Sequence, residues 1–278
     1  MKPARFAYHA PTNLEAALEL LHTHGKTSLL LAGGQSLMPL LNRRQLKPDV
    51  LIDINGLTSL DRIEASNGSL HVGAMVRFRT LERHTRLRHD CPLLALALPW
   101  IGNPAVRNRG TLGGSLAHAD PVAELPACLV NLEARIVLAS VRGTRSLPAQ
   151  AFFLGRGRTS RQADELILGA DIPLATAHDR YGFIEQGRRG RDAAIAGVAW
   201  SKRASDTHPV VTLFGATDTL RTLAISPQLP WQDTRAMAQW LHTQLHPYGD
   251  AGWPAATRMR IAAALLKRTL SEMPHGNR

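Results

Sequence analysis

Two short glycine-bearing segments carry most of the chemistry legible in this chain. The first is Leu30-Leu31-Ala32-Gly33-Gly34-Gln35-Ser36-Leu37. A strand that ends in two glycines and opens a short helix leaves several backbone N–H groups without partners. The absent Cβ atoms let an anion come close to the backbone, and Gln35 and Ser36 add side-chain donors. The second segment, Gly110-Thr111-Leu112-Gly113-Gly114-Ser115, again sets paired glycines between hydroxyl residues. Taken singly, each Gly-Gly pair reads equally well as a tight structural turn. Two in one chain suit a diphosphate, whose charges need donors from more than one direction. The spacing is neither G-x-G-x-x-G nor a phosphate loop ending in Gly-Lys-Ser/Thr.

Other reactive residue types form no familiar constellation. Glu124 can accept a hydrogen bond from a hydroxyl or an amine; equally, it reads as a solvated first-turn carboxylate favoured by the helix dipole. His118-Ala119-Asp120 has the look of part of a catalytic dyad, but Asp before Pro121 is a turn former and the pair reads better as shaping a loop. Cys91 and Cys128 are the only cysteines. They lack C-x-x-C spacing, fall short of the four ligands an iron–sulfur cluster takes, and read as buried spectators. The 12 histidines include no H-E-x-x-H, and no G-x-S-x-G elbow occurs.

The elements that position these residues follow from periodicity. Thr12-Asn13-Leu14-Glu15 reads as a capping box, and Leu14, Ala17, Leu18 and Leu21 then share one helical face. Ser28 to Leu31, Val50 to Ile54 and Leu70 to Gly73 read as strands. Thr80 to Arg86 and Pro92 to Trp100 read as helices. The run from Gly102 to Pro121, rich in Gly and Pro, reads as a long loop, and such loops are usually functional. A helix over Ala123 to Leu132 and strands over Arg135 to Ala139 and Glu165 to Ile172 follow. Beyond about Ala175 the texture changes to a meander (Arg180 to Glu185, Ala193 to Trp200, Pro209 to Phe214) and two helices, Thr234 to Leu245 and Ala255 to Leu270. The expected division is therefore 1–175, with subdomains of about 1–57 and 58–175, and 176–278.

At 278 residues, 44% of them hydrophobic, the chain has ample core for a folded protein and too much for a disordered one. The N-terminus shows no apolar signal core, and no run approaches the ~18 apolar residues of a membrane helix; a cytoplasmic location is the expectation. The formal charge of +11 admits a nucleic-acid binder. Its basic clusters, Arg77 to Arg88, Arg156 to Arg161 and Arg188-Arg189 with Arg191, have no interleaved aromatics. They read as solvated faces or as a surface that meets an acidic partner.

The segments Leu31 to Leu40, Val50 to Asn55 and, above all, Val106 to Pro121 resemble the FAD-binding (medium) subunits of molybdenum hydroxylases. The likeness is to the carbon-monoxide-dehydrogenase medium-subunit type and to the central flavin domain of xanthine dehydrogenases. Asp164 to Leu168 and the Arg188-Arg189…Asp192 stretch fit the same pattern. The resemblance implies an α+β fold: a vanillyl-alcohol-oxidase-type FAD-binding domain of two α+β subdomains, then a C-terminal domain with a three-stranded antiparallel sheet and helices. It implies that Leu31 to Leu37 and Thr111 to Ser115, with Gly113 and Gly114 at their centre, hold the FAD diphosphate through amides and hydroxyls. Glu124 stands where many members have an aspartate that contacts the cofactor, Leu168 would touch the flavin through its backbone, and Ile101 stands where relatives place a large apolar group near the isoalloxazine. Glu185 stands where some relatives carry a lysine, a charge reversal whose role does not transfer. No acid, base or nucleophile is implied on this chain. Electrons would arrive from [2Fe–2S] clusters on a small subunit, fed by a large molybdenum-cofactor subunit, and leave FAD for NAD, oxygen or a quinone. The assembly expected of the family is a dimer of heterotrimers. The competing reading is a free-standing flavin oxidase or dehydrogenase of a small molecule.

Overall fold

Ser28–Leu31 and Val50–Asp53 pair in parallel, and Ala7–His9 pairs in parallel with the other edge of Val50–Asp53. Parallel neighbours need crossover connections, and helices Leu14–His24 and Leu37–Asn42 supply them. The longer helix buries Ala17 and Leu21 against Val50, Ile52 and Ile54. Its cap is Asn13, whose Oδ1 accepts from the Ala16 amide at 2.9 Å. The Thr12 box is thus displaced by one residue, because an Asn immediately before the apolar stripe caps as well as Thr. The computed structural model describes residues 2–190, 192–226, 229 and 233–272; Arg191, and with it part of the third basic cluster, lies outside them.

A second sheet is antiparallel and five-stranded, in the order Ile63–Ser66, Ser69–Gly73, Leu166–Pro173, Arg135–Ser140, Gly143–Pro148. Leu166–Pro173 lies at its centre, which explains its near-continuous burial. Helices Pro92–Ala97, Leu112–His118 and Glu124–Asn131 belong to the main core with it, through Leu93, Leu94, Leu116, Leu125 and Leu129. Glu124–Asn131 is buried at every position.

The run from Gly102 to Pro121 is not a loop. It folds into two short helices, Pro104–Arg109 and Leu112–His118. Asn103 caps the first, accepting from the Val106 amide at 3.0 Å, with Pro at the first helical position. Thr111 caps the second, accepting from the Gly114 amide at 3.1 Å. Composition pointed to a loop because Gly and Pro are poor helix formers in the interior. Here Pro sits where its missing N–H costs nothing, and Gly113 sits where a Cβ would press on the Ala74 backbone.

The C-terminal meander is present as Arg180–Gly187, Ala194–Lys202 and Val210–Phe214, extended by a fourth short strand, Thr222–Ala224. One face, with Val198, Val211 and Leu213, packs on Met237 and Leu241 of helix Thr234–Gln244 and on Met259 and Leu266 of helix Ala255–Glu272. The opposite face, with Phe183, Ala199 and Phe214, joins the main core. Asn131 ties the two bodies together: its Nδ2 donates towards Val210 O at 3.2 Å, Ala199 O at 3.3 Å and Thr212 Oγ1 at 3.4 Å. Asn131→Ala removes these buried bonds between the two bodies and is expected to cost about 1 kcal/mol, read as a lower midpoint in urea unfolding.

Candidate functional site

A cavity of about 500 Å³ runs between the two glycine segments. Its lining brings together Ala32, Gly33, Gly34, Gln35, Ser36, Leu37, Ile101, Thr111, Gly113, Gly114, Ser115 and Glu124. Two expected residues are not in that lining. The Leu31 carbonyl accepts from the Ile54 amide at 3.0 Å, and the Leu168 carbonyl accepts from the Ala74 amide at 2.8 Å. Leu168 sits where the pairing of Leu166–Pro173 with Arg135–Ser140 slips, between Ile167 and Gly169. Such a slip leaves a residue outside the ladder, and the neighbouring Leu166 and Ile167 face the cavity.

The two glycine segments are held at contact distance. A Cβ on Gly33 would overlap the carbonyl oxygen of Arg109, so only glycine permits this approach. Gly34 has φ +72°, left-handed backbone that disfavours a side chain. A polar clamp braces the junction. The Asn55 Nδ2 donates to Ala32 O at 3.0 Å, and Arg77 donates through Nη2 to Asn55 Oδ1 at 2.6 Å and through Nη1 to Arg109 O. Asn55 and Arg77 were invisible as site residues in the sequence, since nothing in their spacing signals a bond across the fold.

The two segments differ in what they offer a ligand. Among the described residues, the amides of Gly33, Gly34, Gln35 and Ser36 donate to no protein acceptor. Those of the second segment are engaged: Gly113 N donates to Ala74 O at 2.8 Å, Gly114 N to Thr111 Oγ1 and Ser115 N to Thr111 O at 3.1 Å each. This segment therefore offers chiefly hydroxyls and bare Cα surface, because the unforeseen helix uses the Gly114 and Ser115 amides for its own start and the Ala74 carbonyl takes that of Gly113.

Two arginines are structural or face the cavity, and one of them, Arg161, belongs to a basic cluster read as a solvated face. Arg107 is 4% exposed and donates through Nη1 to Ile101 O at 3.0 Å and Gly102 O at 2.8 Å, fixing the turn that presents Ile101. Arg161 lines the cavity, and its Nη1 donates to Glu165 O at 2.7 Å. Burial lowers its pKa from the usual arginine value, yet a guanidinium stays charged, and it gives the cavity a fixed cation.

Glu124 is not a solvated carboxylate. It is 8% exposed, and burial pushes its pKa up to about 7; a hydrogen bond from its own amide opposes the rise and the charge of Asp120 adds to it. Glu185 is 6% exposed, and burial, then the charge of Glu124, pushes it up to about 8. Both cysteines are buried free thiols. Burial pushes Cys91 up to about 12 and Cys128 well above its ordinary value, so neither is a nucleophile near neutrality. Among the described residues, no cluster of three or more His, Cys, Asp or Glu is placed to hold a metal. His118 and Asp120 both line the cavity with 3.8 Å between Nε2 and Oδ2, and Asp120 Oδ1 accepts from the Val122 amide at 3.1 Å, which is a turn-shaping bond.

Comparison with known proteins agrees with this geometry. The family described as the FAD binding domain in molybdopterin dehydrogenase matches residues 4–175. The 6-hydroxypseudooxynicotine dehydrogenase complex subunit alpha of Paenarthrobacter nicotinovorans is 33% identical over 285 residues, covering 99% of this chain and 96% of that protein. The caffeine dehydrogenase subunit beta of Pseudomonas sp. (strain CBB1) is 40% identical over 200 residues, covering 72% of this chain and 68% of that protein. Among solved structures, a carbon monoxide dehydrogenase chain from Hydrogenophaga pseudoflava superposes with a TM-score of 0.88 at 32% identity, covering 98% of each chain. This chain belongs to the family of FAD-binding subunits of molybdopterin dehydrogenases. It shares the α+β fold of their medium subunits. No helix among the described residues is long and apolar enough to cross a membrane.

The raised carboxyls make stability depend on pH in a definite sense. The folded chain keeps protons on Glu124 and Glu185 that an unfolded chain releases near 4.5. Their contribution is complete below that pH and is lost as pH climbs through about 7 and about 8. The thermal midpoint of the cofactor-free chain is expected to fall between about pH 5 and about pH 9. Glu185→Gln, which removes one of the two titrations, flattens that fall in scanning calorimetry.

Proposed function

We propose that this chain is the FAD-carrying electron-transfer subunit of a multi-subunit molybdenum hydroxylase. The observation that carries the reading is the cavity walled by both glycine segments, with the four amides from Gly33 to Ser36 unengaged on one side. These features fit a diphosphate. Unengaged amides and the Ser36 hydroxyl would hold it from one segment and the Thr111 and Ser115 hydroxyls from the other. Arg161 supplies a fixed positive charge to the same cavity. Ile101, held by Arg107, presents apolar surface for a ring system, and Glu124 accepts from a hydroxyl when ionised or donates when protonated. Leu168 contributes indirectly, its bulge turning Leu166 and Ile167 towards the cavity, and Leu31 delivers the chain into the first segment.

FAD, when bound, would supply the redox chemistry, taking electrons singly from iron–sulfur clusters and giving them up singly or in pairs. The chain's own residues bind it, orient it and exclude water. The division of the chain at about residue 175 is part of the proposal: the family match ends there, and the sheet changes from the five-stranded one to the C-terminal meander. The expected partners are a large molybdenum-cofactor subunit and a small [2Fe–2S] subunit, assembled as a dimer of heterotrimers with NAD, oxygen or a quinone as final acceptor. Two buried cysteines are too few for a cluster on this chain.

Absorption of the purified chain tests the reading, with bands near ~370 and ~450 nm and about one FAD released per chain expected; a chain that stays colourless with FAD added and with its neighbouring subunits co-expressed overturns it. Gly34→Val is expected to lower flavin occupancy at least ~10-fold, since a branched Cβ strains φ +72° and presses on Met38 and Leu31, displacing the segment that carries the open amides. Replacement of both cysteines by serine or alanine is expected to leave flavin content unchanged.

A further inference from the structure

A second cavity, of about 470 Å³, opens beside the first. Five consecutive residues of strand Arg180–Gly187, from Phe183 to Gly187, line it. Successive strand residues point to opposite faces of a sheet, and these do: Phe183 packs on the main core and Ile184 on the core of the C-terminal helices. A cavity that meets an unbroken run of such residues lies along the edge of the strand. Trp100 walls it on the Phe183 side, with 6.4 Å between the two ring centres. Arg268 of helix Ala255–Glu272 walls it on the other side.

That edge is open. Strand Arg180–Gly187 is the last of its sheet and pairs only with Ala194–Lys202. Alternate residues of an edge strand direct their N–H and C=O groups away from the sheet. Among the described residues, no amide from Arg180 to Gly187 finds a backbone acceptor outside that pairing. One side-chain bond reaches the strand's backbone, from Gln186 Nε2 to Gly187 O at 2.6 Å. With eight residues this is the longest edge strand described; Gly143–Pro148 has six and ends in proline. Its middle, Tyr181 to Ile184, holds neither charge nor proline. Native proteins blunt or cover an edge of this kind.

Charge states which cover suits it. Arg188 and Arg189 continue the strand along the cavity wall, and neither guanidinium has an ion-pair partner among the described residues. Glu185 is the one acid on the wall. It is 6% exposed, and burial, then the charge of Glu124, pushes it up to about 8, so it adds no repelling charge near neutrality. Its Oε2 has no hydrogen-bond partner among the described residues. A second copy is a poor cover, since it also carries +11 and would bring its own arginines to the same edge.

We propose that this edge receives an extended, acidic segment of a partner subunit, which joins the four-stranded C-terminal sheet as a fifth strand. This rests on the multi-subunit reading above. The segment's backbone takes up the outward amides and carbonyls, its carboxylates meet Arg188 and Arg189, and an apolar side chain lies against Trp100 and Phe183. Trp100 lines this cavity and Ile101 the first, so the partner is seated beside the cofactor cavity.

Hydrogen exchange tests the proposal on the chain alone and on the complex formed with its co-expressed neighbouring subunits. The outward amides of Arg180–Gly187 are expected to exchange at least ~10-fold more slowly in the complex. Arg188→Glu with Arg189→Glu, both exposed, is expected to abolish that protection and to leave strand Ala194–Lys202 as protected as before. A complex that forms while the edge exchanges as in the isolated chain overturns the proposal and leaves the FAD reading standing. Full protection in the double variant overturns it as well, because the segment is then not held by its acids. Protection that grows with the concentration of the isolated chain assigns the edge to a second copy. Protection of the isolated chain by inorganic diphosphate alone makes the groove an anion site. Either result overturns the partner segment. A chain that assembles with no neighbouring subunit sinks the multi-subunit reading and this proposal with it. The native samples decide alone if the variant does not fold.

Discussion

The contact between Gly33 and the carbonyl of Arg109 sets the geometry on which the rest of the site depends. The first segment follows strand Ser28–Leu31 and the second opens helix Leu112–His118, and nothing local brings them together. Their spacing is fixed because the bare Cα of Gly33 lies against a backbone oxygen. Asn55 and Arg77 then lock the junction with bonds to Ala32 and Arg109. The cavity is the space left beside this junction. Its two walls therefore move as one body, which suits a cofactor that must be held at a fixed distance from an electron donor.

The helix Glu124–Asn131 plays the complementary role at the other end. It is buried throughout, since the C-terminal sheet lies to one side and helices Pro92–Ala97 and Leu112–His118 to the other. Asn131 at its end satisfies backbone groups of the C-terminal sheet, while Glu124 at its start opens on the cavity. Burial on this scale is costly for a carboxylate, and the molecule resolves the cost by keeping protons near neutrality on Glu124 and Glu185. The same packing that joins the two bodies thus brings acid groups beside the cavity.

Much of this was legible in the residues. The apolar runs Ser28 to Leu31 and Val50 to Ile54, the meander and the last two helices follow from periodicity, which reports the face a residue buries. The paired glycines and their hydroxyl neighbours were legible as a site because few other patterns expose backbone so freely. The run from Gly102 to Pro121 reads as a loop, though it is helical, because composition records average propensity. Asn103, Pro104 and Thr111 act through position, as caps and a first-turn residue, and local position overrides the average.

By itself, the sequence determined most of the strands and helices, that two thiols are too few for a cluster, and that the stretch from Gly33 to Ser36 lies open for an anion. These are local properties, set by side-chain periodicity and by the absence of Cβ atoms. Only the tertiary structure decided which amides remain unengaged, that Arg107 holds Ile101 while Arg161 faces the cavity, that Leu31 and Leu168 stand outside its lining, and that Glu124 and Glu185 are buried. Each of these depends on what a residue meets from a distant part of the chain. Desolvation and hydrogen-bond satisfaction are properties of that meeting and have no counterpart in local sequence.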